Sequence, residues 1–343
     1  MKKVKSNAPR GGPSINHPMQ ANFSVDMKQS DDGVSRNLSR RGILDKSSKA
    51  KDKILHCKMH TFIATFNART LKSENKRIEL LHCFRSQGIS ILGIIDHKIV
   101  HKSDDNDIVY KHFGNDLFIT SSAWRNNANA AVGGVGMVLD KKAENTLSDV
   151  KKWNNRIIIA TFDGNPKTTV IVHYSPVEGD EESEDHYKHL SDAVRQVPKH
   201  NMLVVMGDFN AHLDRTIVKH SYHENSNSNG KIVKSFIQEA DLFVANGHFQ
   251  KKPAKLWTYL SDMSGRKTQV DYITINKKWK NSVHNCQSYN SFSSLGSDHR
   301  VVTAKIKLSF RKRQTKPCGD NHDWSVLRNE EEMKKQVIFI QLH

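Results

Sequence analysis

Between residues 59 and 306 the chain is built from short apolar runs that stop abruptly at an acid or an amide. Ile89–Ile95 and Met202–Met206 are nearly unbroken apolar stretches, too short for helices, and they end at Asp96 and Gly207-Asp208. A strand covered on both faces gives such a run, because neither side-chain direction meets water. Met59–Phe66 predicts a strand ending at Asn67. Asn75–Gln87 predicts a helix with Ile78, Leu81 and Phe84 on one face and Leu80 alongside, stopped by Gly88. Strand, helix and strand make one α/β unit. Further strands are predicted at Ile108–Phe113, Leu117–Ser121, Val135–Leu139, Arg156–Phe162, Thr168–Tyr174, Leu242–Ala245, Thr268–Ile275 and Arg300–Ile306. Helices are predicted at Glu182–Val197, ahead of Pro198, and at Ile232–Ala240. Many strands with few helices between them imply an α/β fold of two packed mixed β-sheets flanked by helices.

Composition divides the chain around that core. Residues from Met1 to about Lys53 are rich in Ser, Asn, Lys, Arg, Gly and Pro, and they bury too little apolar surface to offset the entropy of ordering. The expected organisation is a disordered basic tail over residues 1–55, one domain over 56–309, and a basic, then polar, C-terminal tail over 310–343. The tail reads either as a nuclear address or as a solubilising leader. Net charge is +17, and residues 1–53, with 12 Lys and Arg against 5 Asp, supply only +7 of it. The folded part is therefore basic in its own right, which favours an anionic partner, nucleic acid first. Cys57, Cys83, Cys286 and Cys318 form no Cys-x-x-Cys pair, so a zinc finger is excluded and reduced intracellular thiols are expected. No apolar stretch approaches the ~20 residues that cross a bilayer, and the polar N-terminus lacks a secretory apolar run. The expectation is an internal protein with no membrane partner.

The ends of the apolar runs carry the chemistry. Thr65-Phe66-Asn67, Gly207-Asp208-Phe209-Asn210, Val270-Asp271-Tyr272-Ile273 and Ser297-Asp298-His299 are each expected where a buried strand runs out into a loop. A phosphodiester is an anion that repels hydroxide. Its hydrolysis calls for a hard cation on the phosphoryl oxygens, an activated water, and hydrogen-bond donors where negative charge builds up. Asp and Asn oxygens suit Mg2+, and a carboxylate-held histidine supplies the remaining proton or hydrogen bond. One such dipeptide is common by chance; four in this order point to a phosphodiester-cleaving metal site.

These residues resemble the endonuclease/exonuclease/phosphatase superfamily, and more narrowly the apurinic-type endonuclease domain of non-LTR retrotransposons. The similarity runs from Met59 to Leu308 and rests on Phe66-Asn67, Ile91-Leu92-Gly93, Tyr174-Ser175-Pro176, Gly207-Asp208-Phe209-Asn210-Ala211-His212, Leu256-Trp257-Thr258, Val270-Asp271-Tyr272-Ile273 and Gly296-Ser297-Asp298-His299-Arg300. It implies a four-layer, deoxyribonuclease-like sandwich that acts on DNA in the nucleus with Mg2+ or Mn2+ and no small-molecule cofactor. It also implies that Asn67 and Asp96 hold the metal with support from Asp298, and that Asp208 orients or deprotonates the attacking water. Asn210 would position phosphate and water, Tyr174 would hydrogen-bond a phosphate oxygen, and His299, paired to Asp271, would contact the phosphate.

One position departs from the pattern. The second strand of these enzymes ends in glutamate, whereas here Asp96 stands there, followed by His97 and Lys98. Its carboxylate is one methylene shorter, about 1.5 Å nearer the backbone, and a geometry-demanding ion responds to such a change. Beside the nicking endonuclease stand two other readings: a catalytically impaired DNA-binding remnant, which Asp96 admits, and a phosphatase or phospholipase, which the superfamily resemblance admits. Asp323-Trp324-Ser325 looks like the start of a connecting segment, and no polymerase Asp-Asp signature follows it. That pattern fits a truncated or domesticated element copy. Gly133-Gly134-Val135-Gly136 reads as a tight turn into a strand rather than a nucleotide loop. Trp257 reads as core ahead of groove stacking, and loop cations such as Lys98, Arg125, Lys252, Lys255 and Lys267 form an expected phosphate-facing rim.

Overall fold

The computed structural model describes residues 53–102 and 106–309. Nearly all of the expected N-terminal tail, the whole 310–343 segment, and with it Cys318 and Asp323-Trp324-Ser325, lie outside the described residues. Ile54 and Leu55, assigned to the tail from sequence, are buried, so the packed chain begins slightly earlier than expected. The strands in chain order are β1 (Thr61–Asn67), β2 (Ile91–Ile95), β3 (Ile108–Phe113), β4 (Asp116–Ser121), β5 (Trp124–Arg125), β6 (Ala131–Val132), β7 (Val135–Leu139), β8 (Leu147–Asn154) and β9 (Ile157–Phe162). They continue with β10 (Thr168–Tyr174), β11 (Met202–Asp208), β12 (Leu242–Val244), β13 (Tyr259–Leu260), β14 (Lys267–Thr268), β15 (Asp271–Asn276), β16 (Val283–Tyr289) and β17 (Val301–Ile306). The α-helices are α1 (Glu74–Ser86), α2 (Lys141–Thr146), α3 (Ser183–Arg195) and α4 (Ser228–Glu239).

Two mixed sheets result, one of seven strands ordered β16-β17-β1-β2-β7-β4-β3 and one of six ordered β12-β15-β11-β10-β9-β8. Only β1–β2 and β10–β11 pair in parallel within them. Parallel neighbours need a crossover connection, which α1 and α3 supply. Side chains of the central strands alternate between two cores. On β10 and β11, Val170, Val172, Val204 and Met206 enter the layer between the sheets, while Ile171, Leu203 and Val205 pack outward with Tyr187 and Leu190 of α3 and Phe236 of α4. On β2, Ile91 and Ile95 face inward, and Leu92 and Ile94 join Leu80 and Phe84 of α1 on the outer side. Helix, sheet, sheet and helix are the four layers, as the sequence predicts. Gly93 marks the closest approach of the sheets: a Cβ there would lie 2.7 Å from Val172 Cγ2 and 2.9 Å from Met206 Cε.

Several expectations need correction. Ile78 is 55% exposed, because the buried stripe of α1 runs through Leu80, Leu81, Cys83 and Phe84. The fourth helix starts at Ser228 rather than Ile232, where the Asn227 side chain caps it by accepting from Gly230 N at 2.8 Å. Strands β8 and β16 have no counterpart in the apolar pattern. Both are sheet edges with partial burial and polar residues such as Lys151, Lys152, Asn285 and Gln287, so alternation is diluted. Asp271 is the first residue of β15, and Asp298-His299 precede β17, so these acids open strands instead of closing them.

Candidate active site

Antiparallel pairing turns that correction into a convergence. Strands β15 and β17 run against β11 and β1, so their beginnings lie at the same sheet edge as the ends of β1, β2, β10 and β11. In register, Asp208 lies opposite both Tyr174 and Asp271. Parity explains which way these residues point. Val172, Met206 and Ile273 are inward, so Tyr174, Asp208 and Asp271, each two residues away, share the inner face.

A buried network links them. Asn67 Nδ2 donates to Asp208 Oδ2 at 3.0 Å, and Asn210 N donates to Asp208 Oδ1 at 3.0 Å. His299 Nδ1 bonds Asp271 Oδ2 at 2.8 Å, which leaves Nε2 3.9 Å from Asp208 Oδ2. Ligand atoms of Asp208, Asp271 and His299 lie within 4.8 Å of one another. Burial, then the Asp271 charge, pushes the Asp208 carboxyl up to about 7, against the opposing pull of His299. Burial lowers His299, but the Asp271 charge and hydrogen bond, joined by Asp208, outweigh it and raise the imidazole to about 9. Tyr174 is held protonated, first by burial and then by the charges of Asp208 and Asp96. Asn210 sits at φ 46 with its amide donating to Ser175 O at 2.9 Å, an αL position that Asn tolerates better than most residues.

Asp96 and Asp298 are held differently. Asp96 lies just past β2 with φ 54, and its Oδ1 accepts from Gly133 N at 2.9 Å while Oδ2 meets Lys98 Nζ at 3.2 Å. Burial raises its carboxyl, and Lys98 and the Gly133 amide hold that rise back. Asp96 adds to the electrostatics of the group around Asp208, with its charge among the causes that hold Tyr174 protonated. Asp298 turns to Arg69, whose Nη1 lies 3.6 Å from Oδ2, and it stands outside the Asp208–Asp271–His299 group. A hard divalent cation fits the donors present. They are mostly oxygens, and Asp271 Oδ1 is buried without a hydrogen-bond partner.

Sequence reasoning missed the supporting shell. Thr258 Oγ1 accepts from the amides of Val270 and Asp271, and Asn246 Nδ2 donates to Asp271 O, which fixes the start of β15. The Arg156 guanidinium lies 4.6 Å from the Trp124 ring and 5.8 Å from that of Tyr174. Trp257 is buried, as its core reading holds, with Arg300 stacked on it at 3.3 Å. Trp257, Thr258 and Arg300 lie in motifs that carry the resemblance, whereas long-range partners such as Asn246 and Arg156 leave no local signal.

Two sheets flanked by helices, with acids and amides gathered at one edge, make this the fold of the endonuclease/exonuclease/phosphatase proteins. The AP endonuclease LMAP from Leishmania major superposes with a TM-score of 0.57 at 10% identity, covering 78% of this chain and 98% of that one. The endonuclease domain of TRAS1, a telomere-specific non-LTR retrotransposon, gives 0.50 at 12% identity, covering 73% and 99%. In sequence, craniofacial development protein 2 of Bos taurus is 25% identical over 98% of this chain, which spans 58% of that relative's length. No protein-family profile matches the chain. Among the described residues, no helix is long and apolar enough to cross a membrane.

Proposed function

We propose that this chain is a divalent-metal-dependent DNA endonuclease that nicks one strand by attack of water on a phosphodiester, leaving a 3′-hydroxyl. The observation that carries the reading is the meeting of Asn67, Tyr174, Asp208, Asn210, Asp271 and His299 at one sheet edge, with Asp208 bonded to Asn67 at 3.0 Å and His299 to Asp271 at 2.8 Å. Asp208 takes the proton of the attacking water, and a carboxyl near 7 is matched to that task at neutral pH. His299, charged and with Nδ1 committed to Asp271, directs Nε2–H at a phosphoryl oxygen. The Tyr174 hydroxyl donates to the same group. Asn210, anchored on the Ser175 carbonyl, positions phosphate and water. A divalent ion, Mg2+ or Mn2+, held by side-chain oxygens of Asn67 and Asp96 with Asp298 behind them, would neutralise charge building on the phosphoryl oxygens.

The net charge of +17 supports an anionic polymer as substrate. Likeness in fold to a retrotransposon endonuclease domain and to an AP endonuclease supports DNA as substrate and a retroelement origin, and action in the nucleus would follow from a chromosomal DNA substrate. The impaired-enzyme reading has one observation in its favour, the Lys98 ammonium on the Asp96 carboxylate. Supercoiled plasmid separates the readings. Nicking with Mg2+, abolished by chelator and by Asp208→Ala, supports the endonuclease. DNA binding without cutting, with cutting gained in Asp96→Glu, supports the impaired remnant. Phosphate release from inositol phosphates without nicking supports a phosphatase.

A further inference from the structure

We infer that Lys98 is a built-in counter-ion at the divalent-ion position, one that an incoming metal must displace from Asp96. This rests on the reading of the site given above. Both Asp96 oxygens are engaged, Oδ1 by the Gly133 amide at 2.9 Å and Oδ2 by Lys98 Nζ at 3.2 Å. The carboxylate is buried, and the Lys98 side chain is 27% exposed, so the pair is largely shielded from competing water. Like-charged ions cannot share one buried carboxylate at contact without strong repulsion. An ion therefore binds Asp96 only as the ammonium leaves.

The backbone holds Lys98 in that place. Asp96 at φ 54 and Lys98 at φ 56 are both left-handed, a conformation costly for residues with a Cβ and kept only where surrounding contacts enforce it. His97 between them supplies the enforcement. Its ring is fully buried, Nδ1 accepts from Ile99 N at 3.0 Å, and Nε2 lies 3.3 Å from Val135 O. Gly134 admits the ring, because a Cβ there would stand 2.5 Å from His97 Cε1. Leu71 N bonds His97 O at 2.8 Å, and Lys98 N bonds Gly133 O at 2.9 Å. With its Cα pinned on both sides, Lys98 can move only through its side-chain torsions. The other acids of the site are countered from distant segments, Asp271 and Asp208 by His299 and Asp298 by Arg69. Asp96 alone among them carries its cation two residues along the same turn.

The test is Mn2+ binding, read from the paramagnetic resonance signal of the free ion during titration of the native protein, Lys98→Met, Lys98→Gln, Lys98→Arg and Lys188→Met. The neutral variants at position 98 are expected to bind Mn2+ about fivefold more tightly or better, the factor that follows loss of one modest competing pair. Lys98→Arg should stay near native. Lys188→Met, which removes an equal charge from an ammonium paired to Asp185 on the exposed face of α3, should also stay near native. Circular dichroism identifies any variant that fails to fold, and the second neutral variant then decides. Native Mn2+ binding with unchanged or weaker binding in the folded neutral variants would overturn the inference and leave the functional reading standing. Absence of binding in the native protein and in the neutral variants alike would overturn both.

Discussion

Two aspartates stand at the ends of β2 and β11, the second strand of each parallel pair, and their neighbours make them different chemical groups. Asp208 closes β11 facing a second carboxylate, Asp271, with an imidazole shared between them. Asp96 follows β2 facing an ammonium and an amide. Burial raises both carboxyls, but only Asp208 has that rise reinforced by a neighbouring acid, and it reaches about 7. Residue type and place in the topology therefore do not assign a role. On the proposed reading the charge standing opposite does, and it suits Asp208 to accept a proton and Asp96 to hold a cation.

The sharpest way to break this contrast is to neutralise each acid in turn. Asp208→Asn keeps the shape and removes the proton acceptor, and nicking should fall by about a hundredfold or more. Equal activity in that variant would remove Asp208 from the chemistry. Asp96→Glu moves the other carboxylate outward by about one methylene, and nicking should rise by roughly ten- to a hundredfold, since about 1 Å in a catalytic group has that weight. A drop instead would mean that the backbone at φ 54 has already adapted to the shorter acid.

The contrast also appears in stability. His299 is raised from 6.5 to about 9, so its contribution is complete below 6.5 and lost as pH rises through 9. Asp208, raised from 3.8 to about 7, loses its favourable protonated form as pH climbs between those values. The free energy of unfolding should therefore fall from pH 6 to pH 10, by an amount on the order of a few kcal/mol, read from denaturant unfolding at each pH. His299→Gln should flatten the upper part of that fall, and Asp208→Asn the part below 7. The smallest effect tests the frame that holds both acids. Gly93→Ala presses a methyl onto Val172 and Met206 between the sheets and should cost about 1–3 kcal/mol in denaturant unfolding.

Much of this was legible in the chain. Runs such as Ile89–Ile95 and Met202–Met206 mark inner strands because both of their faces are dry, and the acids that end them mark the site. Edge strands β8 and β16 were hidden because partial burial mixes polar residues into the pattern. Asp271 was legible as a candidate but not as a strand beginning, since strand direction is settled by pairing with β11, whereas His299 stood directly ahead of the predicted strand Arg300–Ile306. Residues 96–98 were the least legible. Nothing in Asp-His-Lys announces two left-handed residues around a buried imidazole, which depend on Gly134 leaving room for the ring.

On the proposed reading, Asn67 and Asp96, at the ends of β1 and β2, hold one divalent cation beside Asp208 and His299. Anomalous diffraction from a crystal soaked in Mn2+ addresses it directly. The expected result is a single strong peak touching the Asp96 carboxylate and the Asn67 side-chain oxygen, with Lys98 turned away. A peak that touches none of Asn67, Asp96 and Asp208, or no peak at this edge of the sheets, would contradict the account.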